Sequence, residues 1–306
     1  MGIPQQAEAL TLQLLSLDTF VAQAKFIQGL SQRLLEIPNV DHTDGFSFFR
    51  KLQSFPQLGM WSESIMPRPL DFPVNFEVTG CVFIPRLEGW QPTAALSAFV
   101  AKKDASGLPP IAVTFGSVMG ARRLAEVIIA AARQLGKSVI WCHDAKREGQ
   151  AETTDFAFAL PCDGQTTAED VFEIEYVPFD WLLPRVSVTV CHGGAGTLWH
   201  SFRSRTPCVV CPMLSALFAD QVTHADFVAR AGLGTRVLEL NPSIEACKAA
   251  LLAAQSCSAA CQRIGTKLQQ EDGSVKAAAA IERISAEKET AQYPKTPRSN
   301  VCLPCF

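Results

Sequence analysis

Between residues 110 and 240 the chain switches repeatedly between two apolar patterns. Short, mainly apolar segments, bounded by polar or turn residues, predict strands. Stretches with apolar residues every three or four positions predict helices. The predicted strands are Ile111–Phe115, Ser138–Cys142, Phe172–Tyr176, Val186–Cys191, Cys208–Cys211 and Thr235–Leu238, and the predicted helices lie near 120–135, 195–205 and 220–231. Strands alternating with helices indicate an α/β fold with a doubly wound parallel sheet and helices on both faces.

The flanking regions carry other patterns. Residues 4–37 have helical spacing, and 39–73 are rich in Pro, Gly, Phe and Ser, which predicts irregular connections. A short strand is predicted near Glu77–Phe83, and helix starts are predicted at 241–243 and at Ser274. We therefore divide the chain into a partial domain at 1–88, a linker with a short helix at 89–109, a Rossmann-like ligand-binding domain at 110–288 and a flexible tail at 289–306.

Composition narrows the class of protein. The 306 residues are 48% hydrophobic and 19% charged, as in a globular protein, and the net charge is −3. Lys and Arg form no cluster, so we expect no nucleic-acid partner. We find neither a signal peptide nor a membrane-spanning run, which predicts a cytoplasmic protein.

Two cysteine pairs have C-x-x-C spacing. Cys208 and Cys211 fall in a predicted strand, where positions three apart point to opposite faces, so we expect buried small hydrophobes there and no zinc or redox site. Cys302 and Cys305 lie in the tail, where a regulatory disulfide or acylation stays open. They do not form a C-a-a-X box.

The most specific motif follows the strand predicted at Val186–Cys191 and reads His192-Gly-Gly-Ala-Gly-Thr197. Glycines between a strand and a helix let backbone N–H groups approach a diphosphate, and the helix N-terminus adds a favourable dipole. The His192 ring and the Thr197 hydroxyl can add hydrogen bonds. The predicted diphosphate ligands here are His192, Gly194, Ala195, Gly196 and Thr197. An NAD-dependent oxidoreductase is disfavoured, because no acidic residue lies about twenty residues after the turn.

These residues and four other blocks resemble family 1 UDP-glycosyltransferases, in particular the sterol 3-beta-glucosyltransferase branch. The family's V-P-H-D-W-L-F-P resembles residues 177–184 here, and its H-H-G-G-A-G-T resembles 191–197. Its F-G-S turn, its P-R-P-x-D-W-P…V-x-G passage and its D-Q pair have counterparts at 115–117, 67–80 and 220–221. The likeness runs in order from about residue 55 to about 285.

The resemblance implies a GT-B fold and an inverting, metal-independent transfer of a hexose, with glucose favoured, from a UDP-sugar to a sterol or other lipid hydroxyl. It implies no cofactor and no metal, with the UDP-sugar as co-substrate, and peripheral contact with membranes. It adds Ser117 to the diphosphate ligands, assigns the nucleoside to Tyr176 and Val177, and assigns the sugar to Asp220 and Gln221. His200 and His224, on predicted helices, are expected at the surface or between domains.

The chain also departs from the family pattern. Phe179 and Cys191 replace two histidines, and seven residues separate Pro212 from Asp220 where the family has about three. No residue before the linker matches a catalytic-base motif, so the base is unassigned; Asp18, Asp41, His42 and Asp44 lie in that region. The short first region leaves three readings open: a fragment, a split enzyme whose partner chain supplies the acceptor domain, or a degenerate member. A non-catalytic nucleotide-sugar-binding subunit is therefore the alternative function.

Overall fold

The computed structural model describes residues 56–70, 72–83, 88–116, 121–143, 169–213, 220–239 and 241–290. Two short parallel strands come first, β1 (Gln57–Gly59) and β2 (Phe76–Val78). The main sheet has six strands: β3 (Ile111–Thr114), β4 (Val139–Cys142), β5 (Val171–Ile174), β6 (Val188–Cys191), β7 (Cys208–Val210) and β8 (Gly234–Arg236). Their order is β5-β4-β3-β6-β7-β8, and all pairs are parallel. The expected α/β parallel sheet is confirmed.

Helices connect the strands and cover the sheet. They are α1 (Ala94–Val100), α2 (Arg122–Gln134), α3 (Phe179–Leu182), α4 (Ala195–Arg203), α5 (Asp220–Arg230), α6 (Ile244–Gln255), α7 (Ser258–Gln269) and α8 (Gly273–Thr290). A 3-10 turn at Leu183–Arg185 follows α3. Ser243 caps α6 by accepting a hydrogen bond from the backbone N–H of Ala246, as its sequence predicts. No helix among these ranges is long and apolar enough to cross a membrane.

The sheet buries both faces, which explains why its strands read as unbroken apolar runs. Residues such as Val113 and Val190 pack with α2 and α6 on one face. On the other face, Ala112 and Ile140 pack with α1 and α3, whereas Cys191 packs with α4, α5 and α7. Side chains thus alternate between faces with a period of two residues.

The cysteine pair that begins in β7 and ends one residue after it follows the same rule. Cys208 packs in the cluster that holds α4 and α7, and Cys211 packs in the cluster that holds α2 and α6. The two thiols therefore lie on opposite faces of the sheet, as predicted. Burial raises the pKa of both thiols well above the ordinary value. Cys302 and Cys305 lie outside the described residues.

Residues 56–83 pack against the far end of the chain. Ile65 and Cys81 join the core cluster of α4 and α7. The hydroxyl of Ser62 donates to Oε1 of Glu271 at 2.7 Å, and Arg283 of α8 pairs with Glu77. The strand expected near Glu77–Phe83 is present as β2, which ends at Val78. The helices expected within 4–37 lie outside the described residues, and the division into domains stays a prediction.

The predicted linker at 89–109 is more than a connection. Its helix α1 buries Leu96 and Phe99 against the sheet. Just beyond α1, Asp104 forms an ion pair with Lys137, and each of the two side chains is only 5% exposed. Burial is the largest single influence and acts to raise the pKa of Asp104, but the hydrogen bonds from Lys137, Ser106 and Leu108 and the charge of Lys137 together outweigh it, so the pKa is lowered. This buried pair fixes the linker to the loop after α2.

Candidate functional site

The candidate site lies where the direction of the sheet reverses. From β3 the chain moves outward through β4 to β5, then returns to place β6 on the other side of β3. Such a switch point opens a crevice at the carboxyl ends of the two central strands, where ligands bind in α/β proteins. His192 follows β6 directly, and Gly116 follows β3 by two residues. The predicted diphosphate motif therefore occupies the crevice of the fold.

The ring of His192 is held between two turns. Its Cε1 atom is 3.1 Å from the position that a Cβ at Gly116 would take. Its Nε2 atom is only 2.5 Å from the corresponding position at Gly194, so a side chain there would displace the ring. Glycine at 194 is thus required by the close approach of the ring rather than by its backbone, which has an ordinary φ of −63°.

Gly193 has a different reason to be glycine. Its φ is +97°, in the region that residues with a Cβ avoid. A Cβ there would also lie 2.9 Å from Cγ1 of Val210 and 3.1 Å from the carbonyl oxygen of Gln221. The turn after β6 is therefore packed tightly against β7 and the first turn of α5.

The N-terminus of α4 is open to a ligand. Gly194 is its N-cap, no side chain accepts a hydrogen bond from the first turn, and that turn holds no acidic residue. The first backbone N–H groups of a helix carry a partial positive charge and need partners. The α2 helix, which follows β3, likewise lacks a side-chain cap and an acidic first turn. Thr197, in the first turn of α4, is 7% exposed.

Burial favours the neutral form of the His192 ring. Loss of solvent lowers the pKa of the imidazole, and the negative charge of Asp220 offsets part of that effect. The Nδ1 atom is buried and has no hydrogen-bond partner among the described residues. A buried nitrogen without a partner costs free energy. A phosphate oxygen at this position would remove that cost and would raise the pKa of the ring.

The Asp-Gln pair lies beside the same turn. Asp220 is exposed at the first position of α5, and its Oδ1 accepts a hydrogen bond from the backbone N–H of Gln221 at 2.9 Å. Gln221 is 5% exposed, and its Oε1 accepts from the backbone N–H of Met213 at 3.0 Å. The Asp220 carboxylate is accessible to a ligand, while the Gln221 amide holds the loop that leaves β7.

The predicted nucleoside residues follow β5, three strands from β6 in the sheet. Tyr176 is 58% exposed, so its ring is accessible for stacking. Val177 is 4% exposed and belongs to the core cluster of α1 and α3, which leaves only its backbone for a base. Phe179 packs against that cluster and against the ring of His200, 5.8 Å away. Its replacement of a histidine is accommodated by packing.

Ser117 and the residues 214–219 that precede Asp220 lie outside the described part of the chain. The predicted contact of Ser117 with the diphosphate therefore stays a prediction. The other departure, Cys191, is fully buried and packs beneath α4. Within the described ranges, no three His, Cys, Asp or Glu side chains are grouped so that they could hold a metal ion.

One histidine makes a contact that the sequence did not predict. His224, expected at the surface or between domains, is half-buried, and its Nδ1 lies 2.8 Å from the carbonyl oxygen of Gly193. The two residues are 31 positions apart in the sequence, and helical spacing alone does not predict a contact between them. His200, by contrast, lies between the rings of Phe83 and Phe179.

A six-stranded parallel sheet with a glycine turn and an open helix N-terminus at its switch point defines a nucleotide-binding α/β domain. Residues 111–283 match the Glycosyltransferase family 28 C-terminal domain, more than half of the chain, and the chain belongs to that family. This finding and the relatives described next confirm the expected kinship with nucleotide-sugar glycosyltransferases.

Among curated relatives, the chain is 28% identical over 255 residues to a sterol 3-beta-glucosyltransferase of Emericella nidulans, which covers 80% of this chain and 17% of that protein. It is 29% identical over 246 residues to the O-mycaminosyltylonolide 6-deoxyallosyltransferase of Streptomyces fradiae, with coverage of 78% and 52%. The chain thus spans less than a fifth of the length of the sterol enzyme. Among solved structures, the glycotransferase of kitacinnamycin aligns with a TM-score of 0.57 at 18% identity, over 92% of this chain and 66% of that one. The GT-B fold is thereby confirmed.

Proposed function

We propose that this chain binds a UDP-sugar at the switch point of its sheet and transfers the hexose, with inversion, to the hydroxyl of a sterol or another lipid. The observation that carries the proposal is the pairing of a buried, unpartnered Nδ1 on His192 with the uncapped N-terminus of α4. The N-terminus of α4 supplies backbone N–H donors without a side-chain cap, and the buried ring nitrogen has no hydrogen-bond partner among the described residues. A diphosphate supplies acceptor oxygens for the His192 ring and for the backbone N–H groups at the start of α4.

His192 and the N-terminus of α4 can stabilise the leaving group of the transfer reaction. As the bond between the sugar and the diphosphate breaks, negative charge develops on the diphosphate. Donors already fixed in a partly buried site stabilise that charge without having to reorganise. His192 is held in place by the two turns that flank its ring, and the backbone donors of α4 are fixed by the helix. This arrangement replaces the charge that a metal ion would otherwise supply.

The sugar and the uracil of the donor would contact different residues. Asp220 is exposed beside the diphosphate corner and would accept hydrogen bonds from sugar hydroxyls. The side chain of Gln221 fixes the loop at Met213, and its predicted contact with the sugar would have to come from its amide. Tyr176, accessible after β5, would stack on the uracil, with the backbone of Val177 at the base edge.

The acceptor class rests on similarity. The sterol 3-beta-glucosyltransferases and the deoxyallosyltransferase share similar levels of identity with this chain but differ in the acceptors that their names give. A sterol or lipid hydroxyl is favoured because the motifs at residues 177–184 and 191–197 resemble those of the sterol branch. The base that deprotonates the acceptor is unassigned, because Asp18, Asp41, His42 and Asp44 lie outside the described residues.

The test is a transfer assay with UDP-[14C]glucose and ergosterol in detergent micelles, with the labelled sterol glucoside separated by chromatography. We expect product from the wild-type chain, unchanged by EDTA, and none from His192→Ala. A labelled product that disappears with EDTA would contradict the metal-independent mechanism. Binding of UDP-glucose without transfer to any sterol would support the alternative, a binding subunit.

A further inference from the structure

The turn that begins α4 needs an anchor outside itself. Gly193 adopts a positive φ, and the first turn of α4 has no side-chain cap. Whatever fixes the Gly193 peptide therefore also fixes the direction of the donors that follow it.

His224 supplies that anchor. It lies on α5, one helical turn after Asp220, and its Nδ1 is 2.8 Å from the carbonyl oxygen of Gly193. Its ring also meets the ring of Trp199 on α4, with centroids 5.8 Å apart and planes at 64°. One side chain on α5 thus holds both the peptide before α4 and the body of that helix.

The chemistry of the contact shows which ring nitrogen carries a hydrogen. A carbonyl oxygen only accepts hydrogen bonds, so Nδ1 of His224 must carry a hydrogen. In the neutral imidazole, Nε2 is then the nitrogen without hydrogen. The structure therefore specifies one tautomer of His224.

The contact also fixes where a donor points. The peptide between Gly193 and Gly194 is trans, because no cis peptide occurs in the described residues. In a trans peptide the C=O and N–H groups point in opposite directions. With the Gly193 oxygen turned towards α5, the N–H of Gly194 is turned away from α5.

We infer that His224 is a positioning residue that orients the Gly193–Gly194 peptide for the diphosphate. The inference rests on the proposed function, because it assigns the donor site there. It links the diphosphate turn to α5, the helix that carries Asp220. A UDP-sugar bound at both places would thus be held by one connected unit.

Two substitutions separate the hydrogen bond from the packing. His224→Phe keeps an aromatic ring against Trp199 but has no donor. His224→Asn loses the ring but places an amide N–H near the position of Nδ1. We expect His224→Phe to weaken UDP binding about 10-fold or more, since small misplacements in a site are costly. We expect His224→Asn to restore most of that affinity, and we expect uridine, which lacks phosphates, to bind all three chains alike.

The measurements are calorimetry for UDP and ligand-observed NMR for uridine. Wild-type affinity for UDP in His224→Phe would overturn the inference. Equal loss in both variants would assign the effect to packing on Trp199 and would also overturn it. Loss of uridine together with UDP would indicate damage to the fold.

A measurement without ligand separates this inference from the proposed function. In the 15N NMR spectrum of histidine-labelled protein, the signals that vanish in His224→Phe belong to His224. We expect them to report the tautomer protonated at Nδ1, and the Nε2-protonated form would contradict the hydrogen bond. If the wild-type chain binds no UDP, the proposed function fails, and the tautomer still decides whether His224 holds the turn.

Discussion

The turn after β6 and the segment after β5 both leave the carboxyl edge of one sheet, but they treat their polar groups differently. After β6, Nδ1 of His192 and the first turn of α4 have no partners among the described residues. After β5, Val177 is packed in the core, and Arg185 donates to the carbonyl oxygen of Trp181 at 2.6 Å. The region after β6 thus has polar groups available to a charged ligand. The region after β5 is packed and exposes one aromatic ring, that of Tyr176.

The comparison indicates that the diphosphate and the base of a donor nucleotide are bound by different interactions. Donors without partners stabilise a diphosphate through charge and hydrogen bonds. An exposed aromatic ring stabilises a base through stacking, which is indifferent to phosphate. Substitutions in the two regions should therefore separate the affinity for UDP from the affinity for uridine.

The largest effect is expected from Gly194→Ala. The new Cβ would lie 2.5 Å from Nε2 of His192, so the ring must leave its place between the two turns. We expect the affinity for UDP to fall more than about 100-fold, because the donor is misplaced. Gly196→Ala, whose Cβ meets nothing within 4 Å in the free chain, serves as a control for folding only, because Gly196 is itself a predicted diphosphate ligand. In thermal unfolding, that control should stabilise the helix by about 1 kcal/mol. Normal UDP binding by Gly194→Ala would contradict the packed position of His192.

A smaller effect is expected in the other region from Tyr176→Ala. Stacking of a base on an aromatic ring is worth about 1–3 kcal/mol. We expect calorimetry and NMR to show UDP and uridine weakened by the same factor, with Tyr176→Phe binding as the wild type does. A loss confined to UDP would place Tyr176 near the phosphates and would remove the distinction between the two regions.

The smallest effect is a dependence on pH. The pKa of His192 is lowered in the free chain by burial, and a bound diphosphate would raise it. Between these two pKa values the complex binds more protons than the free chain, so the affinity for UDP-glucose should rise as the pH falls through this window. Calorimetry across the window should show this slope, and His192→Ala should abolish it. UDP-glucose is the suitable ligand because its phosphates do not titrate there.

The free energy of unfolding of the free chain provides a control for that titration. It should fall as the pH falls, whereas the affinity for UDP-glucose should rise. The unfolded chain binds protons on histidine with a pKa of about 6.5, above that of the folded ring. The unfolded state therefore takes up more protons in this range, and the free energy of unfolding falls as the pH falls below about 6.5. His200, whose pKa burial also lowers, acts in the same direction. Flat stability across this range would contradict the buried environment of both rings.

The sequence predicts the sheet well because its strands are buried on both faces. Strands β3, β4, β6 and β7 are fully buried, and each overlaps its predicted apolar run. The edge strand β5 also overlaps its predicted position, although only Val171 of its four residues is buried. The edge strand β8, Gly234–Arg236, overlaps its predicted position by two residues only. Strand β1 has three residues and no apolar run of its own, so periodicity does not predict it.

Within the candidate site, local chemistry is predictable and contacts between elements are not. The motif of strand, glycines and helix is local, and the structure brings its residues together at the crevice. The engagement of Gln221 with Met213 and of His224 with Gly193 depends on how α5 docks on the sheet. No spacing in the sequence encodes that docking. The sequence therefore assigned Gln221 only to the sugar, and it placed His224 at the surface or between domains without a partner.

The central claim is that His192 binds a diphosphate, and calorimetric titration of the wild-type chain and His192→Ala with UDP tests it most directly. A hydrogen bond to a charged group contributes about 1.5–3 kcal/mol, so the substitution should weaken UDP about 10- to 100-fold and leave uridine unchanged. Equal binding of UDP by both chains, or no binding by the wild type at millimolar ligand, would contradict the claim.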